Sequence, residues 1–370
     1  MSKRLFVIVV IFATIFQLFA QKSFTILYLI PFESDGYEQK FLKSSEEMEH
    51  VKSYGLMGFW NGSQMAIEEY VEKKGVSINV VVRDISNDEN KLRNILDNQD
   101  VMSDVDLIIG PFYSRLFTIA SQYAKEYRIP IVNPFTSRHD IIENNEFVFK
   151  LIASENQQPA MISFLAEQNQ SLPILVYEDS NSNNKSWRIC RRYFEENGVP
   201  YFSTSNISSL LLRVKPEKKH IILCFDDNSA KSLIISQSLK YNAKNSNITF
   251  IIPESWLESK TYDIEYYSEL NLHFFSNYYI DFNNEETKVF NYEYTHRFGV
   301  PPMLKNFAYQ GYDITRFFVE YLINDKDIDR VKLNPIAFPL SFDKFPNGGY
   351  ENVNLQFLEI IDNEIVPNKF

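Results

Sequence analysis

Cysteine is scarce in this chain: Cys190 and Cys224 are the only two among 370 residues. A disulfide-built scaffold is thereby excluded. With no Cys-x-x-Cys pair and five scattered histidines, so is a zinc centre of the usual spacing. An oxidising compartment would permit a Cys190–Cys224 bond. Cys224 lies inside the apolar run His220–Phe225, where a small buried side chain is the commoner state. Basic charge is also in short supply, 37 Lys and Arg against 48 Asp and Glu for a net charge of -11, and no basic stripe appears. Nucleic acid is therefore not an expected partner, because phosphate neutralisation drives that binding.

Catalytic signatures are missing too. There is no G-x-S-x-G elbow, no Walker-type phosphate loop and no His-Glu-x-x-His helix. Asp179-Ser180-Asn181-Ser182-Asn183 opens like a calcium loop, but Asn184 stands where glycine is required and Cys190 where a bidentate glutamate belongs. No catalytic residue, cofactor or metal is expected. The apolar run Leu5–Phe19 falls short of the about 20 residues that a spanning helix needs. It follows Lys3 and Arg4 and leads to Leu18-Phe19-Ala20 before Gln21, the pattern of a cleaved signal peptide over residues 1–20. No cysteine lies near that point to take a lipid. The expected product is exported, soluble, and periplasmic or secreted.

Apolar residues make up 45% of the chain and aromatics 15%, ample for well-packed cores. The length beyond residue 20 exceeds what one core usually serves, so two domains are expected. From Phe24 onward the pattern alternates. Phe24–Ile30 reads as a strand stopped by Pro31, and a helical pattern through Phe59, Met65, Ala66, Ile67, Tyr70 and Val71 ends at Lys73-Lys74-Gly75. Strands follow at Ser77–Val82, Asp106–Ile109, Ile129–Val132 and Phe147–Ile152, with a helix over Ser114–Tyr127. A second series has strands at Pro173–Tyr177, Ile221–Phe225 and Ile248–Ile252, and helices from about Ser186 to Asn197 and Ser229 to Lys240. Short, near-continuous apolar strands between amphipathic helices indicate parallel sheets covered on both faces, here two doubly wound α/β sheets. Helices around Glu286–Phe298 and Phe307–Asn324, then a strand at Leu355–Ile361, suit a chain that returns to its first lobe and finishes in its second.

Phe59-Trp60-Asn61-Gly62-Ser63-Gln64-Met65-Ala66 is similar to the "F-x-x-G-x-x-x-A" helix start of the type I periplasmic binding proteins of the leucine-binding-like group. Asp106–Ser114 and Ile129–Pro134 resemble its strand-turn-helix and following strand. Ala308–Asp313 looks like its "A-x-x-x-Y-D" helix, and Gly348–Asn352 like a turn before its last strands. The resemblance implies two doubly wound parallel-sheet lobes joined by a three-stranded hinge, one lobe near 22–149 plus 277–333 and the other near 150–276 plus 334–370. It also implies capture of a small polar ligand, such as an amino acid or related carboxylate, between lobes that close by hinge motion, with a membrane permease of the ABC type as partner. An envelope protein-interaction module with a degenerate cleft, for example in peptidoglycan-related assembly, is the alternative.

Ligands of open parallel sheets sit beyond the carboxyl ends of strands, where helix N-termini offer unpaired N–H groups to an anion. Tyr113-Ser114-Arg115 and Thr136-Ser137-Arg138 occupy such ends, and family resemblance implies ligand contact at both. Ser114 as a simple helix cap is the competing account. Arg115 and Arg138 can pair with an anion or stay on the surface. In the second series Glu178-Asp179, Asp226 and Glu254 follow strands and can hold an ammonium group. Trp256 can stack on a ligand. Tyr278 falls near the expected crossover. Solvated turns, caps and core packing are the competing accounts for these. Phe135 stands near where the family's amino-acid binders place small residues, so amino-acid specificity is not implied. The charged segment from Glu33 to Ser53 is either a lid or partner surface, or a solvated loop.

Overall fold

In the computed structural model, residues 22–32, 52–154, 156–178, 184–225, 229–242, 247–258, 272–302 and 307–368 are described. Residues 1–21, and with them the expected signal peptide, lie outside the described residues, as does nearly all of the charged 33–53 segment.

Strand β1 (Ser23–Ile30) shows how the first sheet is built. Its side chains alternate between faces. Leu27 and Leu29 join a core with Ile108, Ile131 and Val148. That core is covered by Leu92 and Leu96 of α2 (Glu89–Leu96) and Leu116, Phe117, Ala120 and Ala124 of α3 (Ser114–Tyr127). Tyr28 points the other way. Its hydroxyl is 2.9 Å from Thr315 Oγ1 and its ring meets Trp60 edge-on at 5.2 Å. Trp60 belongs to α1 (Lys52–Lys74) and Thr315 to α8 (Ala308–Ile323). A β1 buried on both sides is what a near-continuous apolar run requires.

The chain sorts into two units, residues 1–151 with 282–351, and residues 152–281 with 352–370. The first contains β1, β2 (Ser77–Asp84), β3 (Leu107–Ile109), β4 (Ile131–Asn133), β5 (Val148–Lys150), β11 (Phe342–Lys344) and β12 (Tyr350–Asn352) in the order β11-β12-β5-β4-β3-β1-β2. The second contains β6 (Ile174–Tyr177), β7 (Tyr201–Thr204), β8 (His220–Cys224), β9 (Ile248–Ile251), β10 (Leu272–Ser276), β13 (Gln356–Ile361) and β14 (Glu364–Pro367) in the order β14-β13-β10-β9-β8-β6-β7. Each sheet therefore holds five strands in the doubly wound order 2-1-3-4-5, all parallel, with two late strands added at one edge. In the second unit those late strands are antiparallel.

Helices α4 (Gln157–Gln168) and α5 (Lys185–Glu196) cover one face of the second sheet. Helix α6 (Ser229–Asn242) covers the other. Cys190 packs in the first of these layers and Cys224 in the second, so the sheet separates them and both are buried free thiols.

The late segments place the final connection differently from the sequence reading. That reading moved the chain into the second lobe near residue 334, whereas it stays in the first unit through Glu351. Two contacts hold it there. Asp313, buried in α8, accepts the backbone N–H groups of Ile336 (3.1 Å), Ala337 (2.8 Å) and Phe338 (2.8 Å). Strand β12 then pairs in parallel with β5, Tyr350 opposite Phe149 and Glu351 opposite Lys150.

Helices α1 and α8 meet through glycines. A Cβ on Gly62 would overlap the Ala308 carbonyl oxygen, and one on Gly311 would overlap that of Phe59. The Ser63 hydroxyl donates to Phe59 O on its own helix (3.0 Å) and to Gly311 O across this contact (3.2 Å). Gly62→Ala and Gly311→Ala should each lower unfolding free energy by about 2 kcal/mol or more in urea titrations, although alanine is intrinsically the better helix former by about 1 kcal/mol. The double variant should lose less than the sum, because the first overlap already separates the backbones.

Burial pushes the Asp313 carboxyl up to about 6, against the pull of its three backbone donors. A raised folded-state value means that this group contributes most below its unfolded value of about 4, and that the contribution is lost as pH rises through about 6. The stability of the natural protein relative to Asp313→Asn should fall across that window and level off above it. Asp313→Ala, which leaves three buried N–H groups without an acceptor, should cost about 3 kcal/mol.

Candidate ligand-binding surfaces at the strand carboxyl ends

In the first unit, β3 runs through Gly110, Pro111, Phe112 and Tyr113 into α3. Gly110 has φ 93°, and a Cβ there would overlap Leu29 O, so the turn requires glycine. Ser114 is the first residue of α3 rather than its cap. The capping position falls to Tyr113, which makes no side-chain capping bond. The Ser114 hydroxyl instead donates to Thr136 Oγ1 at 3.1 Å, joining the ends of β3 and β4.

Asn133, fully buried at the end of β4, organises this junction. Its Oδ1 accepts the N–H groups of Phe135 (3.0 Å) and Thr136 (2.8 Å), and its Nδ2 donates to Pro111 O (3.0 Å). Thr136 Oγ1 also accepts the Arg138 N–H at 3.3 Å. The structure thus brings Tyr113, Ser114 and Thr136 together, with Ser137 exposed beside them. Both arginine side chains are engaged away from this junction. Arg115 pairs with Glu89 Oε2 (3.1 Å) and with Asn87 O (3.2 Å) and Oδ1 (3.3 Å). Arg138 pairs with Asp140, whose carboxyl is held below its usual range by that guanidinium. Phe135 packs edge-on with Phe112 (5.1 Å) and Phe59 (6.0 Å) and tilted against Phe307 (4.6 Å), so an aromatic wall adjoins the polar pair.

In the second unit the carboxyl ends of β8, β9 and β10 line a cavity of about 650 Å³. Leu223, Phe225, Ile251, Ile252 and Phe275 give it an apolar floor, and Gln158 and Ile162 of α4 a wall. Asn184, Lys185 and Ser186 enter from the start of α5. Asn184 caps that helix by accepting the Trp187 N–H (3.0 Å), and its Nδ2 donates to Phe225 O (2.9 Å), tying α5 to the end of β8. Glu254 lines the cavity with one carboxylate oxygen accepting the buried Ser276 hydroxyl at 2.8 Å. Asn277 also lines it and accepts the Ala153 N–H at 2.8 Å. One carboxylate, one ammonium and several amides around an apolar floor suit a small molecule with a polar head.

Among the residues expected here, Glu254 lines the cavity. Glu178 is half-buried at the end of β6 with its N–H on Thr204 O (3.1 Å), and Tyr278 is half-buried with its N–H on Ser276 Oγ (3.3 Å); neither is among the lining residues. Asp179 and Asp226 lie outside the described residues. Trp256, expected to stack on a ligand, is 5% exposed and packs with Phe250 in the sheet core, because its 3-10 turn directs the ring inward. Lys185, Gln158 and Asn277 were not singled out from the sequence. An asparagine directly before a helical pattern was the available signal for the first of them. Among the described residues no cluster of three or more His, Cys, Asp or Glu side chains is placed to hold a metal.

The fold is shared with solved structures. One is described as a branched-chain amino acid ABC transporter from Rhodospirillum rubrum, with TM-score 0.64 and 11% identity over 94% of this chain and 100% of that one. Another is an ABC transporter substrate-binding protein from Desulfitobacterium hafniense in complex with Leu, with TM-score 0.53 and 16% identity over 94% of this chain and 100% of that one. A third is full-length LpoA from Haemophilus influenzae, with TM-score 0.59 and 12% identity over 95% of this chain and 60% of that one. Among curated proteins no sequence match is found. Residues 52–335 match the sequence model of the periplasmic binding protein family, and with its two doubly wound sheets of the type I arrangement the chain belongs to that family.

Proposed function

We propose that this chain is an exported solute-binding protein that captures a small polar ligand, an amino acid or related carboxylate, for ABC-type uptake or for sensing. The observation that carries the reading is the second unit's cavity, where Glu254 and Lys185 set opposite charges around an apolar floor at strand carboxyl ends. A carboxylate there suits an ammonium head group, and an apolar floor suits a short side chain. In the first unit, Ser114 and the start of α3 also stand at a strand carboxyl end. The three passages of the chain between its units supply hinges for capture and release. Among the described residues no helix is long and apolar enough to cross a membrane. Binding rather than catalysis is the reading that the family supports.

A second reading has its own support. Asn133 already occupies the N–H groups of Phe135 and Thr136, Ser114 is bonded to Thr136, and both nearby arginines are paired. A first unit so internally satisfied fits an envelope protein-interaction module in which ligand capture has been lost.

Thermal unfolding of protein refolded free of ligand separates the two. A screen of amino acids, short peptides and organic acids should yield a compound that raises the Tm in proportion to the logarithm of its concentration. Glu254→Gln should weaken an ammonium-bearing hit by about tenfold or more, since a charge-assisted bond is lost. No response to any compound, together with retention of an envelope protein on the immobilised chain, would establish the interaction module instead.

A further inference from the structure

Lys150 is fully buried, and its ammonium lies 3.0 Å from Glu351 Oε1. The other Glu351 oxygen is 3.0 Å from His139 Nδ1, and the His139 ring stands edge-on to Phe345 at 4.7 Å. These residues occupy particular places along the chain. Lys150 ends β5, one residue before the first unit is left at Leu151. Glu351 sits in β12 and is the last residue of the first unit before the chain leaves it for the final time. The two are register partners in the parallel β5–β12 pair. Beyond them, the Ala153 N–H is fixed on Asn277 Oδ1 at 2.8 Å, and the Asn352 carbonyl accepts from Gln157 Nε2 at 3.5 Å, both within the second unit.

We propose that the Lys150–Glu351 pair, braced by His139, is a buried lock that couples the first and third connections between the units, so that they move as one. Bending is thereby confined to residues 151–154 and 352–355. A buried ion pair is a poor device for stability alone, because desolvating two charges consumes most of their attraction and an apolar pair of the same volume does as well. What it supplies is direction: only one register of β12 against β5 sets carboxylate against ammonium. A slip of β12 by one residue would leave Lys150 facing Tyr350 or Asn352, its buried ammonium without the Glu351 carboxylate. The lock stands on the chain path and the pair geometry alone, and holds whichever ligand, if any, the protein takes.

The test is native-state hydrogen exchange on the full chain. In Lys150→Met/Glu351→Leu, an apolar pair keeps the volume and removes the direction. Amides at 151–154 and at 352–355 should then lose protection together, by about tenfold or more, while those of β1 and β6 keep theirs. Glu351→Gln, which preserves shape and removes one charge, should give the same paired pattern to a smaller extent, and it serves alone if the double variant does not fold. Unchanged exchange in the two segments, loss in only one of them, or equal loss in β1 and β6 would overturn the lock.

Discussion

Direct backbone contact between α1 and α8, made possible by Gly62 and Gly311, is the constraint on which the first unit depends. Helix α8 comes from a part of the chain that has already passed through the second unit. It must dock against α1, more than two hundred residues upstream, without side chains to spare between them. Two positions without Cβ atoms allow this, and the Ser63 hydroxyl spans the contact to the far helix. Once α8 is seated, Asp313 is delivered into the interior, where it gathers the N–H groups of residues 336–338 and directs the chain into β11 and β12. Each step presents the partner that the next one needs. The return of the chain is therefore set by a short series of contacts, beginning with a helix approach that no other residue type would tolerate.

Much of this was legible in the sequence where the signal is local. The helix over Ser114–Tyr127 appears with the same ends, because a short strand and Gly110-Pro111 fix its start and an αL residue, Arg128, fixes its finish. The two series of apolar strands gave two sheets, with buried runs such as Leu107–Ile109 in the first and His220–Cys224 in the second. Elements whose identity is decided by distant partners were harder to see. β11 and β12 have three residues each, too few to carry a period, and belong to the first sheet only because β5 offers an edge. Helix α4 hides for a different reason: it buries Pro159 and Ser163 while leaving Phe164 half-exposed, so its apolar pattern does not mark its buried face.

The candidate surfaces divide in the same manner. Rules about strand ends set Ser114, Thr136 and Glu254 just beyond β3, β4 and β9, because that depends only on where those strands stop. They could not say which way a side chain turns once there. Trp256 and Glu254 are two residues apart, yet the ring enters the core and the carboxylate lines the cavity. Arg115 and Arg138 follow suitable strands, but acids one turn or one loop away pair with them first. Charge placement, more than position along the chain, separates a residue that can meet a ligand from one that serves its neighbours. By that measure the second unit's cavity is the better-equipped surface, and the first unit by itself presents a hydroxyl pair beside an aromatic wall.

The central claim, that strand carboxyl ends carry the ligand, is tested most directly by amide NMR of ligand-free protein titrated with an equimolar pool of amino acids. Shifts should concentrate at Phe225, Ile252, Glu254, Ser255 and Asn277, with a smaller set near Ser114 and Thr136. Shifts confined to helices α1 and α8, or none at all, would contradict the account.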